Sequence, residues 1–478
     1  MLKCFKLNNR VVFIFLLIVN GLLAIYSVPV TDFGDAPDYI EISKTLLGEG
    51  NGVNFAHRSP LYSIIMAGFM TIFDEPAIFK IMVIFQFILV AVSCCLIYVM
   101  FLRLFTNKMI PAIIAVASNF LLSTIYYATI ILTEILGLFL LISALHFLFR
   151  FFDKSQWKDI LILGTMIGLL SLAKFNAIPL ILTFAALSMY TLYLKKASLT
   201  KWAYTLSVLF VPYLIIINAW SFYNYQHNGF YGLFPGSYRG VSRNIIIASI
   251  HPENRVSETH QPVLDIFLKA REEYLVADAP TGKGSLSQLD KFGILSELYG
   301  GFRIYLLAVP KLNAYYKLPA QAGEYKLAQK LSGFYREIAK QNTRFIWKYR
   351  LFSLVNSFRA STSASLPLEY GAINLNILPS AVFWVYKLGF FGMSVFVFLA
   401  FFVFWVKVLT NKSKPNFTLL TMFFIVFSFW GINFVFVAEA NSNRYKFPAD
   451  PLIIGLFLYY GREAFQWAKS RNFFLRLV

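Results

Sequence analysis

Long apolar runs, broken by short basic or polar intervals, occupy most of the chain. About 20 consecutive apolar residues cross a bilayer core as a helix. By that measure ten stretches predict membrane spans: 11–28, 77–102, 109–126, 135–152, 160–173, 177–194, 202–222, 380–406, 417–437 and 451–467. The fifth is short, and the tenth carries Arg462 and Glu463. Residues 61–73 are apolar but too short to cross, and predict an interfacial helix. One long hydrophilic interval, 223–379, separates the first seven spans from the last three. Part of it ("DAPTGKGSLSQLD") reads as loop. Its second half, "EYKLAQKLSGFYREIAKQNTRFIWKYRLFSLVNSF", spaces aromatic and basic residues helically and predicts a helix pair on the membrane face or on the core. No internal repeat or inverted half is visible. The expected organisation is an N-terminal membrane module over 1–222 that includes a first outer loop at 29–76, a large outer region over 223–379, and C-terminal membrane helices over 380–478.

Composition agrees with this pattern. The chain of 478 residues is 58% hydrophobic and 14% charged, against roughly a quarter charged in soluble domains. An all-α polytopic membrane protein is the expected class. The net charge of +19 fits either nucleic-acid binding or the Lys/Arg excess of cytoplasmic loops. Position decides between them. Lys3, Lys6 and Arg10; Arg103 and Lys108; Arg150, Lys154 and Lys158; Lys195, Lys196 and Lys201; Lys407, Lys412 and Lys414; and Lys469, Arg471 and Arg476 all fall on one side of a ten-span map. That side is expected to be cytoplasmic, with both termini on it, and 29–76 and 223–379 lie opposite. The sequons at Asn411 and Asn416 would be cytoplasmic, and so would not accept glycans. The N-terminus has a basic start and an apolar core but lacks an A-x-A cleavage site, so an uncleaved first helix is expected. Cys4, Cys94 and Cys95 suggest no disulfide framework, and no Cys/His cluster has zinc spacing.

Polar groups from distant parts of the chain gather on the outer side of this map. "DFGDAPDYIEISKTLL" places Asp32, Asp35 and Asp38 three apart, with Pro37 set to open a helix. On local sequence alone, helix capping by Asp35 is the favoured role. "AHRSPLYSII" places His57 and Arg58 before the interfacial helix, which Pro60 begins. Arginine at headgroup depth suits phosphate, although it also serves as a plain anchor. "ILTEILGLF" opens the fourth span with Glu134, where Thr133 is a candidate cap. "AEANSNRYKFPADPLI" puts Arg444 and Lys446 in the last outer loop. Lys80, Lys174 and Lys387 stand near the outer ends of spans. Ionisable groups there suggest a polar cavity, but for Lys80 and Lys387 snorkelling to the interface is preferred. His146, near the inner end of its span, is read as structural. No phosphate-cradling glycine loop, nucleotide fingerprint or Ser-His-Asp order is present. A transferase working outside the cytoplasm would therefore draw on a lipid-carried group.

These residues resemble a known group. "DAPDYIEISKTLL" followed by "HRSPLYSIIMAGFMTIF" is similar to the first outer loop of GT-C glycosyltransferases, chiefly protein O-mannosyltransferases and lipid A aminoarabinose transferases. Asp35 and Tyr39 match the aspartate four residues before a tyrosine, and Arg58 with Pro60 matches the basic residue before a Pro-containing helix. "LTEILGLFLLISAL", "GLLSLAKFNAIPLIL", "NAWSFYNYQHNGFYGLF" and "NRYKFPADPLI" resemble later elements in the same order. Asp38 stands where the aminoarabinose transferases carry a basic residue, and Ser59 interrupts the usual basic-Pro pair.

The resemblance implies a GT-C-type bundle with juxtamembrane helices in the first outer loop. It also implies inverting transfer of a sugar from a polyprenyl-phosphate donor. Asp35 would be the general base, and Arg58, His57, Arg444, Lys446, Tyr39, Glu134 and Lys174 would hold the donor and its phosphate. Asp32 and Asp38 are secondary acidic candidates. No cofactor is expected. A divalent metal on the three aspartates is the less favoured source of positive charge, because cationic side chains are available. The partners implied are the lipid-linked donor, membrane lipid, and an acceptor glycan, protein or lipid headgroup, with no nucleic acid. A bacterial inner membrane with a periplasmic site is the expected location. The competing readings are a multi-pass transporter or flippase, a non-catalytic scaffold or receptor, and a glycan polymerase or ligase using the same donors. Transporters tend to show repeats and midplane charges, which this chain lacks. Convergence of Asp35, Arg58, Glu134 and Arg444 on one cavity would favour the transferase.

Overall fold

The computed structural model describes residues 9–32, 35–49, 58–233, 243–277, 294–318, 324–356, 358, 380–410, 416–432 and 447–470. These residues form helices, with one isolated parallel bridge between Val30 and Ile130. The first part of the chain runs through α1 (Asn9–Tyr26), α2 (Ala36–Leu46), α3 (Leu61–Met70), α4 (Glu75–Phe101), α5 (Met109–Asn119), α6 (Leu122–Thr129), α7 (Glu134–Lys154), α8 (Trp157–Ala173), α9 (Leu180–Leu194) and α10 (Leu199–Asn228). A middle group follows: α11 (Arg243–Ala248), α12 (Gln261–Ala277), α13 (Ile294–Tyr315), α14 (Glu324–Gln341) and α15 (Thr343–Asn356). The chain returns through α16 (Ser380–Thr410), α17 (Phe417–Ile432) and α18 (Asp450–Ser470).

A helix stands at each of the ten stretches expected to span. Length and apolarity qualify five of them as crossings: Ala77–Phe101, Glu134–Lys154, Phe175–Leu194, Leu199–His227 and Val385–Thr410. The pair α5 and α6, bent by 46°, makes a sixth. Arg10–Tyr26 and Phe417–Ile432 are apolar but shorter. α8 is only 17 residues long and carries Lys158 and Asp159 in its first turn. The described helices therefore support an integral membrane protein, and five or six of the ten expected crossings qualify by this standard.

α7 lies at the centre of the bundle. Ile135, Leu136, Leu138, Leu140, Leu141 and Ala144 are all buried, and together they occupy every side of the helix. It packs on α4 and α8. α8 in turn packs closely on α10, because Gly164 and Gly168 present no side chains there. A Cβ at Gly164 would collide with the Leu209 carbonyl, and one at Gly168 would stand 2.9 Å from the Ile216 side chain. Small residues four apart let two helix backbones approach within a membrane.

Three polar devices fix the end of the bundle that matters for chemistry. Lys80 on α4 donates to the carbonyls of Ala24 (2.7 Å), Ile25 (2.8 Å) and Ser27 (2.6 Å). It therefore does not snorkel as expected: it satisfies the orphan carbonyls at the C-terminus of α1. Gln86 Nε2 donates to the carbonyls of Ala128 (3.3 Å) and Ile130 (2.9 Å). The Val30 amide donates to the Thr129 carbonyl at 3.0 Å, and the Ile131 amide to the Val30 carbonyl at 3.2 Å. The segment leaving α1 is thus stitched to the segment entering α7, which sets the starts of α2 and α7 side by side.

The middle helices have a core of their own. Ile246, Ile247, Val263, Phe267, Leu312, Leu331, Phe334 and Ile338 are buried together, with the Phe267 and Phe334 rings stacked at 5.5 Å. The expected helix pair is present as α14 and α15. α14 packs on this core, and α15 buries Ile346 and Tyr349 against Ile245. Leu354 at the end of α15, and Phe358 beyond it, pack on the membrane core instead. His146 lies edge-on to the Phe147 ring, consistent with a packing role.

Candidate active site

Asp35 occupies the N-cap position of α2, and Pro37 lies in its first turn. The Asp35 side chain makes no capping hydrogen bond. Local sequence favoured capping, and the structure overturns it: the carboxylate turns to Arg58. Arg58 Nη2 lies 2.8 Å from Asp35 Oδ1 and 2.7 Å from Asp38 Oδ2, and Arg58 Nε donates to Asp38 Oδ2 at 2.8 Å. One guanidinium edge thus bridges two carboxylates from successive turns. Nη1 makes no bond to any described residue. Side-chain exposures of 31% for Arg58, 25% for Asp35 and 39% for Asp38 leave the cluster open to a ligand on one side. Burial, the largest influence, disfavours the Arg58 charge, but Asp35, Tyr39 and Asp38 together outweigh it and the net shift is upward, so Arg58 stays a cation.

The cluster rests on a rigid support. Ser63 Oγ donates to the Tyr39 carbonyl at 2.9 Å, and Ser43 Oγ to the same carbonyl at 2.7 Å. These bonds tie α3 to α2. The Tyr39 hydroxyl stands 3.4 Å from Ser59 Oγ, and its ring meets Tyr62 edge-on at 5.7 Å. Burial, and then the Asp35 charge, push the Tyr39 phenol up to about 12. Burial and the Glu134 charge raise Tyr62 well above its ordinary value. Both phenols therefore stay neutral at physiological pH, as hydrogen-bonding and packing groups.

Glu134 opens α7 and is fully buried. Thr133, the expected cap, makes no side-chain capping bond. Lys174, at the end of α8, donates to Glu134 Oε1 at 3.2 Å, and it too is buried. Gly137 makes room for the lysine, since a Cβ there would stand 3.1 Å from Lys174 Cδ and Cε. The Glu134 charge is felt at both Tyr39 and Tyr62, so the pair lies within electrostatic reach of the two phenols that support the Arg58 cluster.

Of the other residues singled out, Asp32 is exposed and makes no bond among the described residues. His57, Arg444 and Lys446 lie outside the described residues. Phe447, the first described residue after Lys446, packs edge-on to Tyr127 at 5.0 Å. Sequence reasoning did not single out Asp450, which is fully buried in the first turn of α18. An Asp-Pro at the start of an apolar helix was the available signal.

The Ser257, His260 and Glu337 side chains also meet, with His260 Nδ1 3.0 Å from both Ser257 Oγ and Glu337 Oε1. A nucleophilic triad needs its serine and its acid on opposite ring nitrogens. Here both use Nδ1, so the trio ties the loop before α12 to α14.

Residues 57–220 match the family model described as dolichyl-phosphate-mannose-protein mannosyltransferase, a domain of the GT-C superfamily. The matched segment contains Arg58, Glu134 and Lys174, and it starts after Asp35 and Asp38. No curated protein matches the chain. The match supports a membrane glycosyltransferase of GT-C type.

Proposed function

We propose that this chain, with its GT-C domain at 57–220, transfers a sugar from a polyprenyl-phosphate donor to an acceptor hydroxyl at the extracytoplasmic membrane face. The observation that carries the proposal is the 2.8 Å contact between Arg58 Nη2 and Asp35 Oδ1. It sets a partly open carboxylate beside a fixed cation at the end of the bundle where Glu134 and Lys174 also lie. The distribution of Lys and Arg in the short loops supports the extracytoplasmic side.

Each group has a task that follows from its chemistry. The donor phosphate takes the Nη1 edge of Arg58, which balances the charge growing on the leaving phosphate. The acceptor hydroxyl gives its proton to Asp35 as its oxygen forms the new bond to the anomeric carbon. The bond from that carbon to the phosphate oxygen breaks, and the configuration inverts. A neutral hydroxyl is a poor nucleophile, and a positioned base typically contributes about 10²–10⁴-fold. Asp38 orients Arg58 through Nε and Nη2. Glu134 and Lys174 hold the start of α7 and the end of α8 in register. In this scheme the positive charge comes from Arg58, with Arg444 and Lys446 as further donors, and no metal ion is required.

The test uses purified protein and radiolabelled polyprenyl-phosphate sugars, beginning with mannose, with a cell-envelope extract as acceptor. Arg58→Gln should weaken donor binding, and Asp35→Asn should keep binding while losing transfer. If neither substitution affects transfer, the site lies elsewhere. Flux of an intact lipid-linked sugar across vesicles, without transfer, would replace the proposal with a flippase.

A further inference from the structure

The structure assigns α15 a second role: we infer that its Arg344, Trp347, Lys348 and Leu351 stripe is a docking surface for anionic phospholipid. The stripe would lie in the headgroup layer of the leaflet on the candidate-site side. This inference does not rest on the transferase reading.

The four residues stand at i, i+3, i+4 and i+7, so they share one helix face. All four are exposed, and the two apolar members are far from buried, with Trp347 47% and Leu351 55% accessible. The opposite face is occupied, since Ile346 and Tyr349 are buried against Ile245. The stripe therefore faces away from the core of the middle helices.

The two ends of α15 lie in different surroundings. At its start, Asn342 Nδ2 donates to the Ser249 carbonyl at 2.9 Å, within the polar middle region. At its far end, Leu354 packs on the membrane core, and Phe358 stacks on Trp430 at 4.5 Å and lies 5.6 Å from Phe398. The helix thus runs from a polar domain into the apolar bundle, and its exposed stripe crosses the water–hydrocarbon boundary. Tryptophan and basic residues concentrate at that depth in membrane proteins.

Charge selects the kind of lipid. Between Glu337 and Glu369 the chain has no acidic residue, while Lys340, Arg344, Lys348, Arg350 and Arg359 fall in that interval. The Arg350 guanidinium sits 5.3 Å from the Trp347 ring, which adds a cation beside the stripe. An ordinary solvated face would mix both signs of charge and would not expose Trp and Leu together. Each cation near an anionic surface contributes about fivefold in affinity.

The test places a nitroxide at Leu351→Cys in a chain carrying Cys4→Ala, Cys94→Ala and Cys95→Ala. The protein is reconstituted in nanodiscs of phosphatidylcholine alone or mixed with phosphatidylglycerol. Relaxation by oxygen against a water-soluble nickel chelate reports the depth of the label. The expected result is immersion in the mixed discs that is lost when Arg344→Glu and Lys348→Glu are added. A label that nickel reaches in both discs overturns the inference. So does immersion that ignores both lipid charge and the charge reversal, which would mean apolar anchoring alone. Spin–spin broadening between labels, with one chain per disc excluded, would mean that a second copy covers the face. An independent measurement needs no cysteine changes. Native mass spectrometry should show wild type retaining phosphatidylglycerol over phosphatidylcholine, and the double charge reversal should lower that preference by about 25-fold or more. Equal retention by both proteins overturns the inference.

Discussion

Two pairings of acid and base stand at the same end of the bundle and differ in what can reach them. Arg58 bridges Asp35 and Asp38 with a quarter or more of each side chain exposed, whereas Lys174 and Glu134 are 4% and 0% exposed. The chemistry of the groups is similar, and burial separates their roles. A buried pair left with one partner carries an uncompensated charge, so the pair acts as a fixed strut. A partly exposed pair exchanges partners at little cost, so a phosphate or a hydroxyl can enter it. The helices explain the contrast. Lys174 and Glu134 come from the ends of helices packed against each other in the core, whereas Arg58 and Asp35 precede short helices that lie over those ends.

The largest test of the contrast is at the buried pair. Lys174→Met should lower stability by roughly 3–5 kcal/mol, because buried Glu134 loses the cation paired with it. The double change Glu134→Leu with Lys174→Met should recover most of the loss. Thermal unfolding in detergent measures both, and a single variant as stable as wild type would mean that the pair is not a strut. Gly164→Leu should cost about 1–3 kcal/mol by pushing α8 away from the Leu209 carbonyl, measured in the same way. At the open cluster the effects should fall on function instead. Asp38→Asn should leave the unfolding midpoint nearly unchanged while raising the donor KM by less than about tenfold, since it only orients Arg58. A loss of fold there would erase the distinction.

The smallest effect is at Tyr39. Tyr39→Phe should cost less than about 1 kcal/mol at neutral pH, because the bond lost to Ser59 is long. Its ordinary value of 10.0 is raised to about 12 in the fold. The folded state therefore holds its proton longer, so the stabilisation is present below pH 10 and is lost as pH rises towards 12. Tyr39→Phe should flatten that alkaline loss in a pH series of unfolding midpoints. An unchanged slope would mean that another group titrates.

Helix positions were legible in the sequence because apolar runs of spanning length leave few other structures open. Each of the ten runs carries a helix among the described residues, and the juxtamembrane helices after α1 stand where Pro37 and Pro60 suggested. What makes a helix a membrane crossing was less legible, since α8 and α18 carry charges and α5 breaks from α6 beyond Asn119. The types of residue in the site were legible as chemistry, but their pairing was not. Asp35 in "DAPDY" reads locally as a cap, and only the fold of 58–70 over α2 brings Arg58 to it. Lys80 reads as an interfacial lysine until the end of α1 is placed beside it. The Gly164 and Gly168 spacing was visible in the chain and passed over, because its meaning depends on which helix lies opposite. The family match covers Arg58, Glu134 and Lys174 but not Asp35, so the proposal of Asp35 as base rests on the resemblance of "DAPDY" and on its contact with Arg58.

The most direct measurement compares wild type and Asp35→Asn for three quantities on the same preparations: transfer from a radiolabelled polyprenyl-phosphate sugar, donor binding, and unfolding midpoint. The prediction is a transfer rate lower by about 10²-fold or more, with donor binding and midpoint close to wild type. Transfer at the wild-type rate by a folded, donor-binding Asp35→Asn protein would contradict the account.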